Sequence, residues 1–253
     1  MKLVSFLLAI TTLISIFDKS IAQPTAKPRS SKKDAIAHCD RQILQNPRDP
    51  KIYTKCGNIK ATHLDFQGAL ADYDRAIEID PKYVAAYKIR ADLKAEYLND
   101  LQGALADYNQ IVKLDPQNSY AYKRRGDVKA EKLRDLQSAL ADFNQAISLD
   151  PKYSLAYYQR GNLKAEKLND PRGALADYDL AIQFSPQSPA VYKSRGELKY
   201  TKLKDRSGGI ADIRKAIDST NSRPPQQMSD VDLERERQFL TAAKKLLASW
   251  GVD

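Results

Sequence analysis

The chain has 253 residues, 42% hydrophobic and 29% charged, with a formal net charge of +9. That balance is ordinary for a soluble, well-packed protein of one large or two small domains, so composition excludes only the extremes. The positive charge by itself singles out no partner.

Residues 1–22 read as a secretory signal peptide. Met1-Lys2 precedes an uncharged apolar run from Leu3 to Phe17, and Ser20 and Ala22 are spaced as in a cleavage site. Fifteen residues is short for a membrane span, and an uncleaved anchor is the other reading of the segment. The expected localisation is therefore exported: periplasm, a thylakoid-type lumen or the extracellular space. Cleavage would leave a charge of about +8 and no membrane-spanning segment. No cysteine follows the site to take a lipid anchor. Residues 23–33, QPTAKPRSSKK, carry four positive charges, two prolines and no apolar period, and read as a disordered basic leader.

From Asp34 onward the chain is periodic. GALADY occurs at 68–73, 103–108 and 173–178, with SALADF at 138–143 and GGIADI at 208–213, each copy 35 residues after the last. Pro81, Pro116, Pro151 and Pro186 keep the same step. Tyr87, Tyr122, Tyr157 and Tyr192 follow them by six, and Ala91, Gly126, Gly161 and Gly196 by ten. Pro47, Tyr53 and Gly57 open the series in a unit one residue shorter. Each unit reads as two helices. In the first, such as Tyr153 to Leu168, a mid-helix Gly161 costs about 1 kcal/mol against alanine and so marks a close approach of another backbone. The second, such as Gly173 to Phe184, is amphipathic at helical spacing, and proline stops it.

An aromatic, a glycine, two alanines and a closing proline in this order resemble the tetratricopeptide repeat (TPR) family over residues 34 to about 220. The wording RG…KL.D..GALADYNQAI is also similar to repeats common in cyanobacterial proteins. The resemblance implies an all-α fold, a right-handed α-solenoid of helix-turn-helix units. The units are 47–80, 81–115, 116–150, 151–185 and 186–220. A half-repeat, 34–46, precedes them, because DAIAHCDRQILQNP lines up with GALADYDRAIEIDP. A linker, 221–228, and a C-terminal capping helix, 229–250, follow, with Ser229 as N-cap and Gly251 as stop. Four of the five units carry one residue more than the family's usual spacing between glycine and first alanine. Either the turn is longer or the first helix bulges.

Arg90, Arg125, Arg160 and Arg195 stand where the family more often carries an apolar residue, and the second helices carry Asp72, Asp107, Asp142 and Asp177. Packing each second helix against the next unit's first helix predicts the pairs Arg90–Asp72, Arg125–Asp107, Arg160–Asp142 and Arg195–Asp177. At the start of the array Cys56 replaces the arginine and His38 the aspartate, which places the neighbouring Cys39 opposite Cys56. In an exported chain these two cysteines are expected to form a disulfide; two buried free thiols are the alternative. His38 and Cys39 are adjacent on one helix and point about 100° apart, which disfavours a metal site, and no cofactor is expected.

In the TPR family the first helices line a concave groove. Carried onto this sequence, the groove residues are Asn58, Lys88, Asp92, Tyr120, Lys123, Asp127, Tyr158, Asn162, Lys193 and Glu197. Lys88–Asp92, Lys123–Asp127 and Lys193–Glu197 are i,i+4 pairs that would also serve simply to solvate a helix face. Thr54 and Tyr158 stand where a lysine would accompany Asn58 and Asn162 in a clamp for acidic tails, so such a tail is not the expected ligand. The repeated Lys60, Lys94, Lys129, Lys164 and Lys199 face the second layer, with their heads expected to reach water. The expected function is an exported scaffold that binds a protein or peptide partner. Binding of anionic cell-wall or membrane surfaces through the leader and the lysines is the alternative. No catalytic constellation stands apart from the repeat, and nucleic acid is not an expected partner.

Overall fold

The computed structural model describes residues 32–130, 135–222 and 230–252. The signal peptide, nearly all of the basic leader, most of the linker, Ser229 and Glu131 lie outside the described residues. Those described form twelve helices and no strand. Helix α1 (Lys32–Gln45) is the half-repeat. The pairs α2 (Pro50–Thr62) and α3 (Phe66–Ile79), α4 (Val84–Glu96) and α5 (Leu101–Leu114), α6 (Ser119–Val128) and α7 (Leu136–Leu149), α8 (Ser154–Glu166) and α9 (Pro171–Phe184), and α10 (Pro189–Thr201) and α11 (Arg206–Asn221) follow. Helix α12 (Asp230–Ser249) closes the array. Each helix packs on its neighbours in the chain, with the first and second helices of one unit in the most extensive contact.

The conserved step of the sequence has a local cause at each residue type. Every second helix starts on an aspartate, Asp65, Asp100, Asp135, Asp170 or Asp205, whose carboxylate accepts from the amide three residues on. That amide belongs to the glycine opening GALADY. A Cβ built on Gly103 or Gly173 would fall 2.0 Å from the capping carboxylate oxygen. In the third unit Ser138 takes the place, and the bond lengthens from 2.9 to 3.3 Å. The tyrosine six residues after the proline ties the entry to the first helix: the hydroxyls of Tyr53, Tyr87 and Tyr157 donate to the carbonyls of Pro47, Pro81 and Pro151, each at 3.3 Å.

The mid-helix glycines face an aromatic ring more often than a backbone. A Cβ on Gly161 would lie 2.7 Å from Tyr178 Cε1, and one on Gly126 would lie 2.8 Å from Phe143 Cε1. Main chain closes in most tightly in the last unit, where a Cβ on Gly196 would meet the Gly209 carbonyl at 2.8 Å; at Gly161 the Ala174 carbonyl would lie at 3.4 Å, behind the ring. The expected backbone approach thus holds at Gly196, while at Gly126 and Gly161 the nearest obstacle is a ring. Ala91 occupies the equivalent place over Tyr108, so a ring can yield to a methyl group. Gly196→Ala is therefore expected to cost about 2 kcal/mol more than Gly161→Ala, as overpacking against a fixed carbonyl. Urea unfolding of the two variants side by side checks the order.

Both readings of the extra residue occur. Units with Asn99, Asn169 or Lys204 keep a first helix of the usual length and place the addition in the turn; these residues are left-handed at φ 52, 50 and 61°, as is Leu64 in the shorter first unit at φ 63°. In the third unit the helix widens into a π-type turn at Lys129–Ala130. At the C-terminal end Gly251, at φ 73°, closes α12: its amide donates to the Ala248 carbonyl, and that of Val252 donates to Leu247.

The arginines pair differently from the expectation. Arg125 forks onto Asp142 at 3.0 and 2.6 Å, Arg160 onto Asp177 at 3.0 and 2.6 Å, and Arg195 onto Asp212 at 2.8 and 2.6 Å; Arg90 grips Asp107 in the same way. Each partner belongs to the arginine's own unit. The pairs Arg90–Asp72, Arg125–Asp107, Arg160–Asp142 and Arg195–Asp177 do not form. The link to the preceding unit runs through the remaining guanidinium nitrogen to Asp74, Asn109, Asn144 or Asp179, two residues beyond the expected aspartate. Two residues on a helix turn about 200°. Asp72 therefore faces its own unit, while Asp74 faces the next.

The repeated lysines belong to the same ladder. Lys94, Lys129, Lys164 and Lys199 reach the second oxygen of Asp107, Asp142, Asp177 and Asp212 at 2.8–2.9 Å, and Lys60 reaches Asp72 at 2.7 Å. The heads of the last four are not in water but in Arg–Asp–Lys triads, and that of Lys60 is in a simple pair, with the aspartates nearly buried.

At the first unit the ladder lacks its arginine. Cys39 and Cys56 are fully buried in its place, as free thiols rather than the expected disulfide. Burial, followed by the Cys39 contact, pushes the Cys56 thiol up to about 12. The thiolate that disulfide exchange requires is therefore scarce. The native protein at pH 8 should resist iodoacetamide, while unfolding without reductant should release two titratable thiols; no thiols released would show a bridge instead.

Candidate partner-binding face

The candidate residues lie on the first helices, on the side away from the Arg–Asp–Lys ladder, and the structure joins several of them into one network. Its hub is Arg124, which sequence reasoning missed because it lies one row off the chosen stripe, two residues before Gly126. Arg124 donates to Asp92 at 3.1 Å, to Glu96 at 2.6 Å and to the Tyr108 hydroxyl at 3.2 Å, and stands 3.7 Å from Asp127. Asp92 also accepts from the hydroxyls of Tyr108 and Tyr120, both at 2.6 Å. Burial and then the nearby Tyr108 and Asp92 act on Arg124 in opposite directions; the acceptors prevail and hold its guanidinium above the ordinary range. Burial and the Asp92 carboxylate together push both phenols up.

Of the three expected i,i+4 pairs, two form: Lys123–Asp127 at 2.7 Å and Lys193–Glu197 at 2.6 Å. Lys88 does not reach Asp92, whose oxygens are taken, and its ammonium instead lies 4.1 Å from the centre of the Tyr120 ring. Lys123 and Asp127 are 8% and 9% exposed, so this pair braces the face rather than presenting itself to a ligand.

The tyrosine of GALADY also reaches this face. Tyr73 donates to Asn58 and Tyr178 to Asn162, each at 2.8 Å, and Tyr108 to Asp92. The phenol of this motif thus crosses from the second helix to the candidate residues on the first. In the third unit Phe143 has no hydroxyl to give, and Asp127 takes Lys123 and, at 3.3 Å, the Gln159 amide.

What stays open is centred on α8. Leu155 is 51% exposed, and Tyr158, Asn162 and the exposed Glu166 continue its stripe at helical spacing. The Tyr158 hydroxyl lies 3.2 Å from Ser194 Oγ on α10. Two hollows flank α8. One of about 110 Å³ runs between α6 and α8 over Phe143, and one of about 150 Å³ lies between α8 and α10 over Tyr178. Glu166 lines both. Among the described residues no helix is long and apolar enough to cross a membrane.

Residues 120–153 match the tetratricopeptide repeat family model. No curated protein matches the sequence. Among solved structures, MamA is 23% identical with a TM-score of 0.58, over 71% of this chain and 96% of that one. YrrB, described as a TPR protein with an unusual peptide-binding site, is 20% identical with a TM-score of 0.55, over 82% and 97%. A tetratricopeptide repeat protein from Parabacteroides merdae is 18% identical with a TM-score of 0.61, over 84% and 92%. Together with the 35-residue helix pairs, these likenesses give the chain the fold of an all-α solenoid packed like tetratricopeptide repeats, and residues 120–153 match the family itself.

Proposed function

We propose that the chain is an exported, non-catalytic interaction scaffold that holds a segment of a partner protein on its first-helix face. The observation that carries this reading is the open stripe on α8, where Leu155, Tyr158 and Glu166 lie between two hollows, while the rest of the face is closed by its own hydrogen bonds. An exposed apolar residue beside a tyrosine and flanking hollows is the usual makeup of a binding anchor. The peptide-binding site named for YrrB, which shares the fold, is consistent with it. Export rests on the layout of residues 1–22.

Adsorption to anionic surfaces is the weaker reading, because Lys60, Lys94, Lys129, Lys164 and Lys199 are engaged with buried aspartates and form no free basic face. The test is a pull-down from the exported fraction with the wild type and with Tyr158→Ala/Leu155→Asp. Lys123→Glu is unsuitable, since it would bury a second carboxylate against Asp127. A partner retained at high salt by the wild type and lost from the double variant supports the scaffold. Equal capture by both proteins, or capture abolished by salt alone, overturns it.

A further inference from the structure

The junction between α1 and α2 departs from the others at two positions that belong together. Where Arg90, Arg125, Arg160 and Arg195 stand, the first unit has Cys56; where the later second helices carry Tyr73, Tyr108, Phe143 and Tyr178, α1 has Cys39. These are the only two cysteines of the chain, and both are 0% exposed. A vacated guanidinium site asks only for apolar bulk, which alanine or valine supplies. Two thiols brought into it from different helices add chemistry as well as volume. The Cys39 thiol, the Asp72 carboxylate and the Lys60 ammonium all act on the Cys56 thiol. Lys60 lies one helical turn after Cys56 and 2.7 Å from Asp72, so a cation borders the sulfur pair. His38 is exposed and, as the next residue on the helix, points about 100° away from Cys39. Among the described residues no set of three or more His, Cys, Asp and Glu is placed to hold a metal, so the thiols stand as a pair.

We propose that Cys39 and Cys56 form a two-coordinate site for the soft monovalent ion Cu(I), bound linearly between the two sulfurs and linking α1 to α2. Each thiol loses its proton to solvent and each sulfur donates an electron pair to the ion; one Cu(I) enters, two protons leave, and nothing is oxidised or reduced. Thiolate sulfur is the ligand that Cu(I) prefers. Zinc, which takes four ligands in a closed structural site, finds two. The loaded site carries one negative charge where two bare thiolates would carry two, and the Lys60 ammonium offsets it. The ion enters when α1 lifts from α2, an end helix with no described helix before it, and local opening of that kind is cheapest at the end of an array.

The test offers Cu(I) to the full chain as its coloured bicinchoninate complex, in the absence of oxygen, and compares the wild type with Cys39→Ser and Cys56→Ala, circular dichroism reporting whether each variant folds. The wild type is expected to withdraw one ion per chain and the variants none. X-ray absorption of the loaded wild type should show two sulfur neighbours and no nitrogen, a readout that decides the matter even where a variant does not fold. Trypsin cleavage after Arg41, an exposed residue of α1, should slow several-fold on loading of the wild type and stay unchanged with zinc chloride, because only the linked helix resists lifting. Withdrawal by wild type and variants alike, nitrogen in the copper shell, protection by zinc equal to that by copper, or no withdrawal at all overturns the site.

Discussion

Asp177→Ala is expected to lose about 3–5 kcal/mol of stability, the range for removing one partner of a buried ion pair. The carboxylate takes both Arg160 nitrogens and the Lys164 ammonium, and is 2% exposed. Without it, two cations stand side by side beneath the second layer, and the Arg160 contact to Asn144 at 2.7 Å cannot compensate for them. Replacing the whole triad, by Arg160→Met, Lys164→Met and Asp177→Leu together, should lose far less, because the desolvation cost of all three charges goes with them. Urea unfolding followed by circular dichroism at 222 nm compares the two. A single variant within about 1 kcal/mol of wild type would show that solvent enters the triad and that the ladder is an ordinary surface feature. The triads are a costly way to fill space, and their geometry indicates what they add. Each arginine touches its own second helix and the preceding one, so a slipped register would strand a charge.

Trp250→Ala is the second large effect. Its ring stacks on Tyr200 at 3.8 Å and 3°, and the Arg206 guanidinium lies 5.8 Å from the centre of the same tyrosine ring. Helix α12 also contributes Ala243 and Leu247 to a cluster with Ile213. Truncation should cost about 3 kcal/mol, the low end for tryptophan because the side chain is only partly buried. The consequence goes beyond stability: Ile210, Ile213 and Ile217 of the last unit lose their cover, and an uncapped repeat end is prone to associate. Light scattering should therefore rise with protein concentration in Trp250→Ala and stay flat in Trp250→Phe. Flat scattering in both would place the cap's grip in Leu247 and Ala243 instead.

The array itself was legible in the sequence because each spacing answers to a contact that repeats: proline to tyrosine through one hydrogen bond, capping aspartate to glycine through another. The pairing of the arginines was not, since choosing between Asp72 and Asp74 requires knowing which side of a second helix faces which neighbour, and both residue types recur with the same period. The lysines escaped for the same reason. The candidate face was legible as a set of residues but not as a set of contacts. Asp92 and Tyr120 read as ligand groups in a linear stripe, yet in the fold they satisfy each other beside Arg124, and Lys123 is taken by Asp127.

The break in the ladder at Cys56 gives the array a direction. From the second unit to the last, each junction is held by a guanidinium spanning three helices, and the far end is closed by stacked rings and a helix stop. The first junction has two thiols in that place, and Asp72, left with Lys60 alone, is pushed by burial above the ordinary carboxylate range. A protease, a pulling force or a denaturant should therefore open the described array from α1, one unit after another, with the open stripe on α8 among the last parts to yield.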